Sequence, residues 1–122
     1  MDLGIENRKA IVCASSRGLG RACAESLSRE GVEVVLNGRD AEVLESTAAS
    51  IGETYGRDVK FVTGPIESEE THAALLEACP EPDILINNNG GPAPGRFQDW
   101  DRETWIDALD ANMLAPVLMI RA

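Results

Sequence analysis

Two glycines one residue apart follow a short apolar run in Ala10-Ile11-Val12-Cys13-Ala14-Ser15-Ser16-Arg17-Gly18-Leu19-Gly20. A diphosphate needs backbone N–H groups unobstructed by Cβ atoms and the positive end of a helix, and a strand-to-helix turn carrying Gly18 and Gly20 offers both. Gly-x-Gly alone equally describes a tight turn without a ligand; its setting between strand and helix argues for nucleotide binding. About twenty residues further on, where a dinucleotide fold reads the ribose, the chain has Leu36-Asn37-Gly38-Arg39-Asp40. An acidic side chain there binds a 2′-hydroxyl, whereas arginine accepts a 2′-phosphate. Arg39, with Arg17 able to converge from the first loop, points to NADP(H). Asp40 competes at nearly the same spacing, but it directly precedes an apolar periodic run and is assigned to a helix cap. The alternative for Arg39 is a solvated turn residue.

Asn87-Asn88-Asn89-Gly90 ends another apolar run. In an open α/β sheet ligands lie beyond the carboxyl ends of the strands, where amides fix backbone and glycine admits a ligand closely. A plain polar strand-to-loop turn is the competing reading. Asn112 falls among apolar helical positions, where a buried amide needs partners; otherwise it is a locally bonded Asn ahead of Pro116. Other chemistries find little support. Tyr55, the only tyrosine, has Lys60 five positions on and leads into a strand, so it reads as structural. His72 lies in a helical stretch of Glu and Ala without ligand partners at metal spacing and reads as a surface histidine; no metal site is expected. Gly-x-Ser-x-Gly, the nucleophile elbow of hydrolases, does not occur. Trp100 and Trp105 read as core or subunit-contact side chains.

The elements that must position these residues follow from apolar runs and punctuation. Residues 9–14, 32–37, 59–63 and 83–87 are short, rich in Val, Ile, Leu or Phe, and read as strands. Between them, residues 18–30 give a helix whose apolar face is expected at Leu19, Ala22, Cys23 and Leu27, with Gly31 as its stop. A second helix opens at Asp40 and repeats through Leu44, Ala48 and Ile51. A third starts at Ser68, carries Glu69 and Glu70 in its first turn, buries Thr71, Ala74, Leu75 and Ala78, and ends at Pro80. After the Gly/Pro-rich loop 90–95, an Asp101-capped pattern runs through Trp105, Leu109 and Met113, with a kink or fresh start at Pro116. The alternation β-α-β-α-β-α-β-α with short links predicts an α/β fold: a Rossmann-type, doubly wound parallel sheet, here a four-strand portion. Its fourth strand is expected at an apolar edge.

The chain has 122 residues, 43% of them hydrophobic and 26% charged, a composition that supports a folded core. Its 21 acidic and 11 basic residues give a formal net charge of −10, which repels phosphate backbones and anionic lipid, so neither nucleic acid nor membrane is an expected partner. An anionic ligand must be captured by local features. A charged start without a signal-like stretch leads to an expected cytoplasmic location. Cys13, Cys23 and Cys79 are widely spaced, without a Cys-x-x-Cys pair, and read as reduced thiols.

With these motifs in order along nearly the whole chain, the sequence resembles the short-chain dehydrogenases/reductases, especially the 3-oxoacyl-acyl-carrier-protein reductases. Residues 13–20 are similar to the family's Thr-Gly-x-x-x-Gly-x-Gly, residues 87–90 to its Asn-Asn-Ala-Gly, and Asn112 matches the Asn of its catalytic tetrad. The resemblance implies cofactor contacts from Ala14, Ser16, Arg17, Gly18, Leu19, Gly20, Arg39, Ile66, Asn88, Asn89 and Gly90, and a proton-relay water held by Asn112. It implies interconversion of a ketone and a secondary alcohol on a small-molecule or acyl-thioester carbonyl substrate. It also implies a homodimer or homotetramer of the full-length protein, through helices that begin near Asn112. Three departures touch the cofactor side: Ala14 replaces the first glycine, Pro65 an adenine-bonding residue, and Asn89 the small alanine. The family's catalytic Ser and Tyr-x-x-x-Lys have no match in residues 1–122, so these are expected to form the NADP(H)-binding domain, truncated before the catalytic set and inactive alone. The alternative is a noncatalytic nucleotide-binding or interaction module.

Overall fold

The computed structural model describes residues 1–122. Four strands, β1 (Lys9–Val12), β2 (Glu33–Gly38), β3 (Lys60–Thr63) and β4 (Ile84–Ile86), form one parallel sheet in the spatial order β3-β2-β1-β4. Ile11 pairs with Val35 on one side and Leu85 on the other. The chain winds outward from β1 to β3, then crosses back to place β4 against the free side of β1. That reversal opens a crevice at the carboxyl ends of β1 and β4. As expected, β4 is an edge, with Ile84, Leu85 and Ile86 half-buried.

Alternation along the strands divides the core into two layers. Ala10, Val12, Val34 and Leu36 face α1 (Gly18–Arg29) and α2 (Ala41–Tyr55), packing with Ala24, Leu44, Ala48 and Ile51; Tyr55 packs at the edge of this cluster. Ile11, Cys13 and Val35 face the other way, onto Ile66, onto Leu75 of α3 (Glu69–Ala78), and onto Met119 of α5 (Ala115–Arg121). Asp40 caps α2 by accepting from the Val43 N–H at 3.2 Å, and Asp101 caps α4 (Arg102–Leu109) by accepting from the Thr104 N–H at 2.9 Å. Asp83 ties the starts of β1 and β4 together, accepting from the Lys9 N–H at 2.9 Å and from Arg8 at 3.1 Å. These donors hold the Asp83 carboxyl below its ordinary range.

Several expectations are corrected. The buried face of α1 is Gly20, Ala24 and Ser28, while Leu19 is 81% exposed and Ala22 is exposed as well. Small residues lie inward because this helix sits hard against the loop after β1. A Cβ added to Gly20 would lie 2.2 Å from the Ala14 carbonyl oxygen. His72 is buried, not on the surface; its ring Nε2 meets the Ile66 carbonyl, which gives a polar ring a partner in the core. The tryptophans are not core: Trp100 is half-buried, Trp105 is exposed, and they form an edge-to-face pair with centroids 5.5 Å apart. Leu109 and Met113 are exposed too. A π-helical turn, Asp110–Leu114, joins α4 to α5, which begins afresh with Pro116 in its first turn. No helix is long and apolar enough to cross a membrane.

Gly20→Ala forces backbone apart at the α1 contact and should destabilise the protein by about 1–3 kcal/mol, read by chemical denaturation. A change under about 0.5 kcal/mol, the scale of a neutral surface site, would show that the close approach is not tight.

Candidate nucleotide-binding cleft

The crevice at the carboxyl end of the sheet is a cleft of about 840 Å³. It gathers Ala14, Ser16, Arg17 and Leu19 from the first loop and helix, Arg39 from the end of β2, and Ile66 from beyond β3. Asn88, Asn89, Gly90 and Asn112 complete the set expected on its wall. Gly18 and Gly20 do not line it. Gly18 turns the loop into α1 at φ 60°, and Gly20 lets that helix approach the Ala14 carbonyl from beneath.

Below the cleft, one buried amide holds three strand ends. Asn37, 1% exposed, accepts from the Ala14 N–H at 3.2 Å through Oδ1 and donates through Nδ2 to the carbonyls of Val62 at 3.2 Å and Gly64 at 3.0 Å. Its backbone N–H donates to Ser15 Oγ at 3.0 Å, and its carbonyl accepts from the Ser15 N–H at 2.7 Å. The Thr47 hydroxyl, from α2, donates to the Ser16 carbonyl at 2.7 Å. Asn88 Nδ2 donates to the Ala14 carbonyl at 3.1 Å, joining the β4 loop to the β1 loop. Between these anchors Ala14 sits at φ 46°, a left-handed conformation natural to glycine. Asn37, Ser15 and Thr47 escaped the sequence reading. A polar Asn closing an apolar strand was the available signal, since an amide buried there needs partners.

The mouth is built to receive negative charge at one point. At the start of α1, Arg17 is in an extended conformation, no side chain caps the helix, and no acidic residue stands in its first turn. Its first N–H groups are therefore left without a side-chain partner, unlike the carboxylate-capped starts of α2 and α4. Arg17 and Arg39 are exposed on this rim. Arg39 Nη2 contacts Glu67 Oε1 at 2.8 Å, and Asn89 Nδ2 donates to the same oxygen at 2.8 Å and to the Ala111 carbonyl at 3.1 Å. Burial favours the neutral form of Glu67, but the Asn89 and Arg39 contacts outweigh it and hold the carboxyl below its ordinary range. Asn112 is exposed, not buried as expected; its Nδ2 donates to the Ala108 carbonyl at 3.1 Å across the π-helical turn. Burial pushes the Cys13 thiol up to about 11 despite a lowering bond with Asn88, which makes it a poor nucleophile. No cluster of three His, Cys, Asp or Glu side chains stands at metal-binding distance.

Removing the floor amide with Asn37→Ala strands several buried polar groups and should cost about 2–4 kcal/mol, measured by denaturant unfolding. A loss below about 1 kcal/mol, the worth of a single ordinary hydrogen bond, would contradict the role of this residue as the shared anchor.

A family model described as short chain dehydrogenase matches residues 8–122. The chain is 31% identical over 122 residues to the uncharacterized oxidoreductase YvaG of Bacillus subtilis (strain 168), covering 99% of this chain and 46% of that protein. It is 41% identical over 91 residues to the 7alpha-hydroxysteroid dehydrogenase of Clostridium sardiniense, covering 71% of this chain and 34% of that one. The crystal structure of L-sorbose reductase from Gluconobacter frateurii, complexed with NADPH and L-sorbose, superposes with a TM-score of 0.93 at 30% identity, over 99% of this chain and 48% of that chain. The chain thus spans between about a third and a half of the length of these relatives. With the family model matched along nearly all of its length, the chain belongs to the short-chain dehydrogenase family.

Proposed function

We propose that these residues form the NADP(H)-binding domain of an oxidoreductase that interconverts a ketone and a secondary alcohol. The observation that carries this reading is the uncapped, acid-free start of α1 with Arg17 and Arg39 on the same rim. A protein with a formal net charge of −10 repels a phosphorylated ligand everywhere except where such donors converge. The NADPH bound by L-sorbose reductase, similar over 99% of this chain, supports the cofactor.

NADP(H), when bound, supplies or accepts the hydride. The first-turn N–H groups of α1, with Ser16 and the exposed Leu19, would hold the diphosphate, and Arg17 would join Arg39 on the 2′-phosphate. Arg39 uses one of its five N–H donors on Glu67, which leaves others for the 2′-phosphate. Ile66 would supply an apolar wall for adenine, and Asn88, Asn89 and Gly90 would hold the nicotinamide end of the cofactor. Asn112, its Nδ2 engaged by the Ala108 carbonyl, keeps its amide oxygen to hold a water of the proton relay. The proton donor itself is assigned to a Ser and a Tyr-x-x-x-Lys set outside these residues, since Tyr55 packs at the edge of the core cluster beneath α1 and α2. The resemblance to 3-oxoacyl-acyl-carrier-protein reductases makes an acyl-thioester or small-molecule ketone the substrate class.

The exposed apolar run Trp105, Ile106, Leu109, Met113, Val117 and Ile120 supports assembly of the full-length protein as a homodimer or homotetramer.

In the full-length protein NADPH should bind more tightly than NADH. Arg39→Ala should weaken NADPH by roughly ten- to a hundredfold, the worth of one charge-assisted bond, while NADH changes little; equal losses for both cofactors would contradict the assignment. Ala14→Gly relieves a left-handed alanine worth about 1 kcal/mol and removes a methyl group from the cleft wall, so it should raise thermal stability and tighten NADPH in calorimetric titration. Weaker binding would show that the alanine serves the site.

A further inference from the structure

Glu67 is the one carboxylate that touches the arginine assigned to the 2′-phosphate. Its side chain is 18% exposed, whereas that of Arg39 is 68% exposed. It is held there from two sides, because Oε1 accepts at 2.8 Å from both Arg39 Nη2 and Asn89 Nδ2. Asn89 is fixed in turn by the Ala111 carbonyl at 3.1 Å and by its own bond from the Gly90 N–H at 2.8 Å. The carboxylate therefore cannot swing away when an anion arrives without breaking an Asn89 contact as well. Asp40 also lines the cleft, but its carboxylate is turned to the Val43 N–H as the cap of α2. The Asn89 and Arg39 contacts, which outweigh burial, keep Glu67 charged near neutral pH.

We propose that Glu67, pinned between Arg39 and Asn89, sets cofactor discrimination by opposing the 2′-phosphate, so that this protein favours NADPH over NADH less than Arg39 alone would allow. The inference rests on the cofactor reading above and concerns its selectivity. A phosphate that uses the remaining N–H donors of Arg39 must share that cation with a fixed carboxylate close by, and like charges at such spacing in a partly buried site repel. A 2′-hydroxyl carries no charge and meets no such opposition; it can instead donate to the carboxylate. One side chain thus acts on the two cofactors with opposite sign. Asn89, one of this chain's departures from the family motif, contributes by fixing the carboxylate in place.

The test is titration of the full-length protein and of Glu67→Gln with NADPH and with NADH. Glutamine keeps an oxygen for Arg39 and Asn89 but removes the charge. NADPH should bind about threefold or more tightly in the variant, the scale of a screened charge pair near a surface, with NADH unchanged or weaker, so the ratio of the two dissociation constants moves toward NADPH. Glu67→Ala should shift the ratio in the same direction. Raised salt should weaken NADPH binding more steeply in Glu67→Gln than in the unsubstituted protein, because the phosphate then faces an uncompensated cation. Weaker NADPH binding in Glu67→Gln, or an unchanged ratio while the unsubstituted protein binds NADPH, overturns this inference and leaves the cofactor reading standing. Failure of the unsubstituted protein to bind either nucleotide overturns both.

Discussion

The cleft depends on how the carboxyl ends of β1, β2 and β3 are held together around Asn37. A parallel sheet leaves strand-end carbonyls and N–H groups unpaired where the chain departs into its loops, and each such group buried without a partner is costly. Asn37, itself near the end of β2, resolves this for the ends of β1 and β3 at once, because a primary amide both accepts and donates. It accepts from the Ala14 N–H and donates to the carbonyls of Val62 and Gly64. Fixing Ala14 in turn fixes the carbonyl against which Gly20 packs, and so the position and direction of α1. The point at which α1 presents its N-terminus to the cleft is thus set by a side chain that does not belong to α1.

Electrostatics then operate on a prepared geometry. The chain is strongly acidic, and most of its helices that begin near the cleft use carboxylates: Asp40 at α2 and Asp101 at α4 each accept a backbone N–H. Only α1 opens there without a cap or an acidic first turn. The same carboxylate chemistry that stabilises the other helices would, at α1, occupy the donors a diphosphate needs. Elsewhere on that rim Glu67 places a negative charge beside Arg39. On the proposed reading the cleft combines one unopposed anion site with a second, opposed one. The first suits a group common to both nicotinamide cofactors, and the second the group that distinguishes them.

The sequence disclosed what depends on local chemistry. The strand-turn-helix setting of Gly18 and Gly20, the cap at Asp40, the arginine after β2 and the fresh helix at Pro116 all obey rules that operate within a few residues. The errors arose where distant parts meet. Leu19 fits a helical apolar face, yet α1 turns Gly20 inward, where Ala14 lies too close for a larger side chain, and Ala24 onto the strand core. His72 sits among Glu and Ala, but the carbonyl of Ile66, six residues earlier, folds back to meet it in the core. Asn37 ends an apolar run with no local mark of its three partners. Asn112 falls at an apolar periodicity that the π-helical turn interrupts, which leaves it exposed. The Arg39–Glu67–Asn89 link joins three separate loops and has no pattern in the chain.

A crystal structure of the full-length protein with NADPH measures where the dinucleotide lies. It should show the diphosphate on the first-turn N–H groups of α1, adenine against Ile66, and the 2′-phosphate within hydrogen-bond distance of Arg39, with Arg17 on the same side. A diphosphate bound elsewhere, or a 2′-phosphate turned away from both arginines, would contradict the proposed cofactor site.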